Sequence, residues 1–336
     1  MANSLLNLKP HKVSRDLSGY VTYIYGKGGT GKTTLATQMD SAILIAMERG
    51  YNALPGVLAR DVTSWSDFRT VVRELKDPEV KKLFKCVVID TVDIAASLCE
   101  KYICGQLGIE NIGDGGWATN GWAKVKKEFE TTFRQIAQLG YAIFFISHDK
   151  ERTENLGDGT EITKIGPSLS NAYNEIIRNM SDLEGFAHQV RLENGVPQVM
   201  LTLRSMDGRV ECKSRFKYME PEIPFNYEAL STALAEAIEK EAEANHNKFI
   251  TDEKIEKVEA PDYNFEELMT EFKKIVGQIQ KAVGKEDFRE TWAAKITGIT
   301  DKYLGKGRKV NDATPDQVEQ IFLIVEDLKE VVGNGL

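Results

Sequence analysis

The nine residues Gly26-Lys27-Gly28-Gly29-Thr30-Gly31-Lys32-Thr33-Thr34 constrain this chain more than any other stretch. They fit G-x-x-x-x-G-K-[ST], a glycine-rich loop that cradles phosphates. The context is right for such a loop. Tyr20-Val21-Thr22-Tyr23-Ile24-Tyr25 before it is β-branched and aromatic, a buried strand. Leu35-Ala36-Thr37-Gln38-Met39 after it can open a helix. Glycines let successive backbone N–H groups curl toward phosphate oxygens, and a helix N-terminus behind them adds partial positive charge. Lys32 can reach the β- and γ-phosphates, and the Thr33 hydroxyl can join the shell of a Mg²⁺ ion. The alternative is a glycine-rich turn that binds nothing; the flanking strand and helix argue against it. ATP with Mg²⁺ is the expected ligand.

Other parts of the sequence set limits. At 336 residues the chain has room for one large domain and a smaller one. Its 42% hydrophobic and 28% charged residues describe an ordinary globular protein. No apolar run reaches membrane-spanning length, and Met1–Lys9 lacks the basic region and apolar run of a signal peptide. Cys86, Cys99, Cys104 and Cys212 form no metal or disulfide pattern, so a reducing cytoplasm is the expected setting. A net charge of −8 excludes a protein that coats nucleic acid by bulk charge. Local basic loops remain possible, with salt-sensitive binding.

The first two-thirds alternates apolar runs with helical patterns. Candidate strands are Val21–Tyr25, Ala42–Met47, Cys86–Asp90 and Tyr141–Ser147, with helices at Ser66–Lys76 and Ala123–Gln138. Alternation of this kind predicts an α/β fold with a mostly parallel sheet flanked by helices. Phe186–Arg191 and Val199–Arg204 flank the turn signal Glu193-Asn194-Gly195 and predict an edge hairpin. This core spans residues 1–237. Residues 238–262 are charged and poor in apolar side chains, a helix end fading into a linker. Residues 263–336 carry three helical patterns, Phe265–Ala282, Lys285–Tyr303 and Pro315–Val332, and predict a small bundle. The last opens on Thr314-Pro315-Asp316-Gln317, a capping box with proline at the first helical position.

A phosphate loop needs a carboxylate at the end of a neighbouring strand to hold the Mg²⁺ shell. Phe84–Thr91 supplies an apolar run ending in Asp90; Asp93, beyond the strand, is a second candidate. Hydrolysis also needs a group to orient or deprotonate water. Glu48 follows the Ala42–Met47 strand, and in a parallel sheet all strand C-termini lie on the ligand-binding edge. Glu48 should therefore meet Asp90 and the loop, unless it is a solvated loop residue. The Ala142–Ser147 run delivers His148 to the same edge, where it can bond the γ-phosphate; otherwise it is a capping or surface histidine.

This order of features resembles the RecA-type recombinase core over roughly residues 19–230, and most of all small phage-encoded RecA-like ATPases linked to single-strand annealing and recombination. The resemblance implies that Glu48 is the catalytic base, that His148 senses the γ-phosphate, and that Lys32 is catalytic as well as phosphate-binding. It implies single-stranded DNA as a partner, a homo-oligomer as ring or filament, and a single-stranded-DNA-binding protein as a further partner. The family touches DNA through two loops. The first would be Gly108–Trp122, where Trp117 and Trp122 can stack on bases or pack locally, and Lys124, Lys126 and Lys127 can meet phosphates. The second would be Lys150–Ser168, whose Glu151, Glu154, Asp158 and Glu161 offset its cations. The resemblance also matches Lys213 and Arg215, alternate residues of Val210–Phe216, to a basic pair that reaches the γ-phosphate of a neighbouring subunit. Such a pair could instead guard a sheet edge. Other readings stay open. A ParA/MinD-type partition switch shares the loop's extra lysine, but its Asp-rich motif and the proline after Asp90 are missing. A replicative helicase or its loader shares the core. A scaffold could bind ATP only to present its C-terminal bundle.

Overall fold

A computed structural model describes residues 10–114, 116–155, 160–191, 195–253 and 263–333. The chain divides into two compact units, residues 1–259 and 260–336.

The first unit is built on a nine-stranded sheet. Six of its strands run parallel, in the spatial order Leu183–Arg191, Val21–Gly26, Ala142–Ser147, Cys86–Asp90, Ala42–Ala46 and Ala59–Asp61. Pro197–Thr202 pairs antiparallel with Leu183–Arg191, and Glu222–Pro224 pairs antiparallel with Pro197–Thr202 to close that edge. The central strands are unbroken apolar runs because both faces are covered. Tyr23, Val87, Ile89, Ile143 and Phe145 point to one face. There the helices Trp65–Glu74, Val92–Leu107, Gly121–Gln138 and Asn171–Met180 pack on them through Phe68, Cys99, Phe129, Phe133 and Ile177. Ile24, Leu44, Val88, Phe144 and Ile146 point to the other, under Leu35, Leu230, Leu234 and Ile238. Cys99 and Cys104 are packing residues in the first layer, and all four cysteines are free. Caps fix helix starts: Ser64 accepts from Asp67 N at 3.1 Å, and Asn226 from Ala229 N at 2.8 Å.

Several sequence expectations need correction. The helix behind the phosphate loop is only Lys32–Ala36, because the chain must turn to enter the Ala42–Ala46 strand. Any charge at its start comes from the loop's own amides rather than from a long dipole. The expected second loop is instead an antiparallel hairpin, Asp149–Asn155 against Glu161–Pro167. The Val210–Phe216 strand is broken. Val210 bridges to Ile165, and only Lys213–Ser214 pairs with Leu183–Glu184. The expected linker is partly structured: helix Tyr227–Ala244 runs seven residues into it with Ile238 and Ala242 buried, and Ile250–Thr251 pairs with Val13–Ser14. Residues 254–262 lie outside the described residues.

The second unit is a helical bundle of Phe265–Asp287, Ala293–Leu304 and Val318–Gly333. Ile279, Trp292, Leu304, Ile321, Val325 and Leu328 fill its core. Gly284, at φ 81°, breaks the first helix where a side chain would be strained. Thr314 and Gln317 form the predicted capping box. Among the described residues no helix is long and apolar enough to cross a membrane.

Candidate active site

Four strand ends bring the site together. Gly26, Ala46, Asp90 and Ser147 end adjacent parallel strands, so residues just beyond them share one sheet edge. The Ala142–Ser147 strand lies between the loop strand and the Asp90 strand. This sets His148 between Lys32 and Asp90 in strand order.

The loop begins where only glycine fits. A Cβ on Gly26 would lie 2.2 Å from the Ala187 carbonyl oxygen. Gly28 and Gly29 are exposed, and a side chain on either would enter open space. The loop's outer surface is thus free for an anion. Gly31, at φ 89°, turns the chain into the short helix. Lys32 is buried and folds back on its own loop, donating to the carbonyls of Gly26 (2.6 Å) and Lys27 (2.8 Å). Burial lowers its pKa, offset by the carboxylates of Asp90, Asp149, Asp93 and Glu48. Thr30 is buried and its hydroxyl donates to the Lys27 carbonyl. Thr34 follows Thr33 in the helix, and Lys27 is exposed.

Asp90 is 4% exposed and accepts from the Thr33 hydroxyl at 2.7 Å. Burial raises its pKa, and the Thr33 hydrogen bond works against that rise. A hydroxyl and a carboxylate in contact beside a phosphate loop fit the shell of a Mg²⁺ ion, which takes few protein ligands and keeps several waters. Among the described residues no group of three or more His, Cys, Asp or Glu residues that could hold a metal occurs.

Glu48 reaches the site because Met47 N and Glu48 N both donate to the Asp90 carbonyl, at 2.7 and 3.2 Å. A Cβ on Gly50 would lie 4.0 Å from Thr33 Oγ1, so the same turn passes beside Thr33. Glu48 Oε1 accepts from the Thr91 hydroxyl at 3.3 Å and lies 3.2 Å from His148 Nε2. Both side chains are partly exposed, which leaves them open to substrate. The structure therefore brings Lys32, Thr33, Asp90, Glu48 and His148 together.

Asp93, the second metal candidate, is engaged elsewhere. It accepts from Ser147 Oγ, Ser168 Oγ and His148 N. Thr91 and Ser168 escaped sequence reasoning. Thr91 could have been found from its place directly after Asp90. Ser168 carries no sequence signal, since only the hairpin brings it back to the sheet.

Lys213 and Arg215 are not at this edge. Lys213 is paired in register with Glu184, which lies beside Tyr23 in the lower part of the loop strand. Its ammonium donates to the Arg178 carbonyl at 2.6 Å. Arg215 pairs with Asp182, whose carboxylate also accepts from Val21 N at the start of the loop strand. Val21 and Gly26 are five residues apart, about 16 Å in a strand. Neither cation reaches its own chain's phosphate loop.

The first expected DNA loop is more structured than its glycines suggested. Gly108 caps the preceding helix, Asn111 and Asp114 close a turn, and Gly116–Thr119 is a short helix. Gly121 packs on Ile112 so closely that a Cβ would lie 2.8 Å from the Ile112 carbonyl oxygen. Trp122 therefore opens the Gly121–Gln138 helix instead of sitting in a loop, and is 57% exposed. Lys124, Lys126 and Lys127 follow it, all exposed. The side chain of Trp117 lies outside the described residues.

Residues 18–216, which hold the phosphate loop, Asp90, Glu48 and His148, match the family model described as an AAA domain. The chain is also 28% identical over 341 residues to the SPbeta prophage-derived uncharacterized protein YorG of Bacillus subtilis (strain 168). That alignment covers 99% of this chain and all of the prophage protein.

Proposed function

The chain belongs to the AAA-domain family of P-loop ATPases, and from that premise we propose that it is a RecA-like ATPase of phage type that acts on single-stranded DNA in annealing or recombination. One observation carries the catalytic part: Glu48 and His148 are 3.2 Å apart on the edge where Thr33 meets Asp90. Lys32 exchanges its two loop carbonyls for β- and γ-phosphate oxygens. Thr33 and Asp90 would hold Mg²⁺, which neutralises charge on those oxygens when bound. Glu48 accepts the proton of the attacking water. His148 turns from Glu48 toward the γ-phosphate, so the same imidazole registers the nucleotide and frees the base.

Trp122 with Lys124, Lys126 and Lys127 supports the DNA part, as an exposed aromatic beside exposed cations suits a single strand of any sequence. The prophage origin of the similar Bacillus protein supports the phage setting. The distance of Lys213 and Arg215 from their own loop supports action on a neighbouring subunit, hence a homo-oligomer.

Glu48→Gln tests the assignment of the base. It is expected to keep ATP affinity and lose turnover by about a hundredfold or more. Normal turnover in the variant would remove Glu48 from that role.

A further inference from the structure

Asp93 stands three residues after Asp90, in the first turn of the Val92–Leu107 helix. Its carboxylate is filled by three donors that belong to other elements. Oδ1 accepts from Ser147 Oγ at 2.9 Å and from Ser168 Oγ at 2.6 Å, and Oδ2 accepts from His148 N at 3.1 Å. Ser147 ends the strand from which the Asp149–Pro167 hairpin departs, His148 links the two, and Ser168 is the first residue after its return. The two roots are also joined directly, Ser168 N donating to the His148 carbonyl at 2.8 Å. One carboxylate thus staples both roots of the hairpin.

The same carboxylate is tied to the chemistry on either side. Upstream, two residues separate it from Asp90, and Thr91 between them donates to Glu48. Downstream, it fixes the backbone of His148, whose imidazole meets Glu48. At the far side of the hairpin, Ile165 N donates to Arg209 O and Glu211 N to Ile165 O, so the return strand is bonded to the segment that leads into Lys213. Through these bonds a shift of His148 would be felt at Asp93 and, through Ser168, at the hairpin.

We propose that Asp93 is a positioning residue that couples the nucleotide site to the Asp149–Pro167 hairpin, holding His148 in reach of Glu48 and making the hairpin respond to bound nucleotide. This rests on the ATPase reading above. A carboxylate serves here because it accepts from all three donors at once. An asparagine must turn its NH₂ group either to the His148 N–H, which cannot accept, or to both serine hydroxyls, which must then reverse to accept.

The test uses the full chain, its Asp93→Asn variant and its Ser168→Ala variant. Three quantities are measured: affinity for a non-hydrolysable ATP analogue with Mg²⁺, steady-state kcat and KM, and hydrogen exchange of the hairpin amides with and without the analogue. In the parent the analogue is expected to change hairpin exchange. In Asp93→Asn the analogue still binds, the hairpin no longer responds, and kcat falls about tenfold to a hundredfold with KM nearly unchanged, the scale of a misplaced catalytic group. Ser168→Ala keeps the His148 bond, so it is expected to lose most of the hairpin response and less of kcat. Should Asp93→Asn fail to fold, Ser168→Ala alone decides. A parent-like hairpin response and kcat in the folded variants would overturn the proposal. So would a parent that binds the analogue with no change in its hairpin, an outcome that leaves the ATPase reading standing. A parent that binds no nucleotide would overturn both.

Discussion

Single residues at the two ends of the sheet face opposite electrostatic conditions. At the phosphate end, Lys32 and Asp90 are buried but engaged by the Gly26 and Lys27 carbonyls and by Thr33. At the other end, Glu184 is fully buried, and neither of its oxygens accepts a well-aligned hydrogen bond. Arg178 Nε lies 2.9 Å from one oxygen, with Glu211, Lys213 and Cys212 nearby. Burial dominates over Arg178 and raises the Glu184 carboxyl to about 7. Between its ordinary value of 4.5 and about 7, the folded chain holds a proton there that the unfolded chain has lost. Stability therefore falls as pH rises through that window. Glu184→Gln is expected to flatten the decline between pH 5 and 8, raising stability most at pH 8. Denaturant unfolding at both pH values checks this; parallel pH curves for parent and variant would contradict it.

At the scale of elements, local pattern was legible and long-range pairing was not. The Cys86–Asp90 strand has the expected bounds, since four apolar or small residues followed by a carboxylate admit little else. The capping box at Thr314 was equally plain. The hairpin at 149–167 was missed because its strands are charged and half-exposed, without an apolar alternation to mark them. The continuity of helix Tyr227–Ala244 was hidden because a charged face masks the buried Ile238 and Ala242. The broken strand at Val210–Phe216 depends on Ile165 and Leu183, which no local signal names. The Asp90–Glu48–His148 meeting was legible through the parallel-sheet rule, whereas the Asp93 clamp was not. The first turn of Gly121–Gln138 carries its own prediction. Trp122→Ala is expected to weaken single-stranded DNA binding by about 1–3 kcal/mol. Removing Lys124, Lys126 and Lys127 should flatten the salt dependence, since each phosphate contact adds about 0.7 to the slope for a single strand. Both variants should bind ATP like the parent, because Trp122 and these lysines stand on the Gly121–Gln138 helix, a different element from the Gly26–Thr34 loop. Titration of labelled oligonucleotide at several salt concentrations reads the two effects apart. Unchanged affinity in both variants would remove this helix from the DNA surface.

For the whole molecule, the placement of Lys213 and Arg215 matters most. They stand at the opposite end of the loop strand from the phosphates, held by Arg178, Asn179 and Asp182. If these cations serve the site of a neighbouring chain, as proposed, they must leave their present partners to do so. The most direct measurement is the ATPase rate per protomer over a range of protein concentrations, with and without single-stranded DNA. The rate is expected to rise with protein concentration and further with DNA, both gains being lost in Arg215→Ala. A rate per protomer that depends on neither protein concentration nor DNA would contradict this expectation.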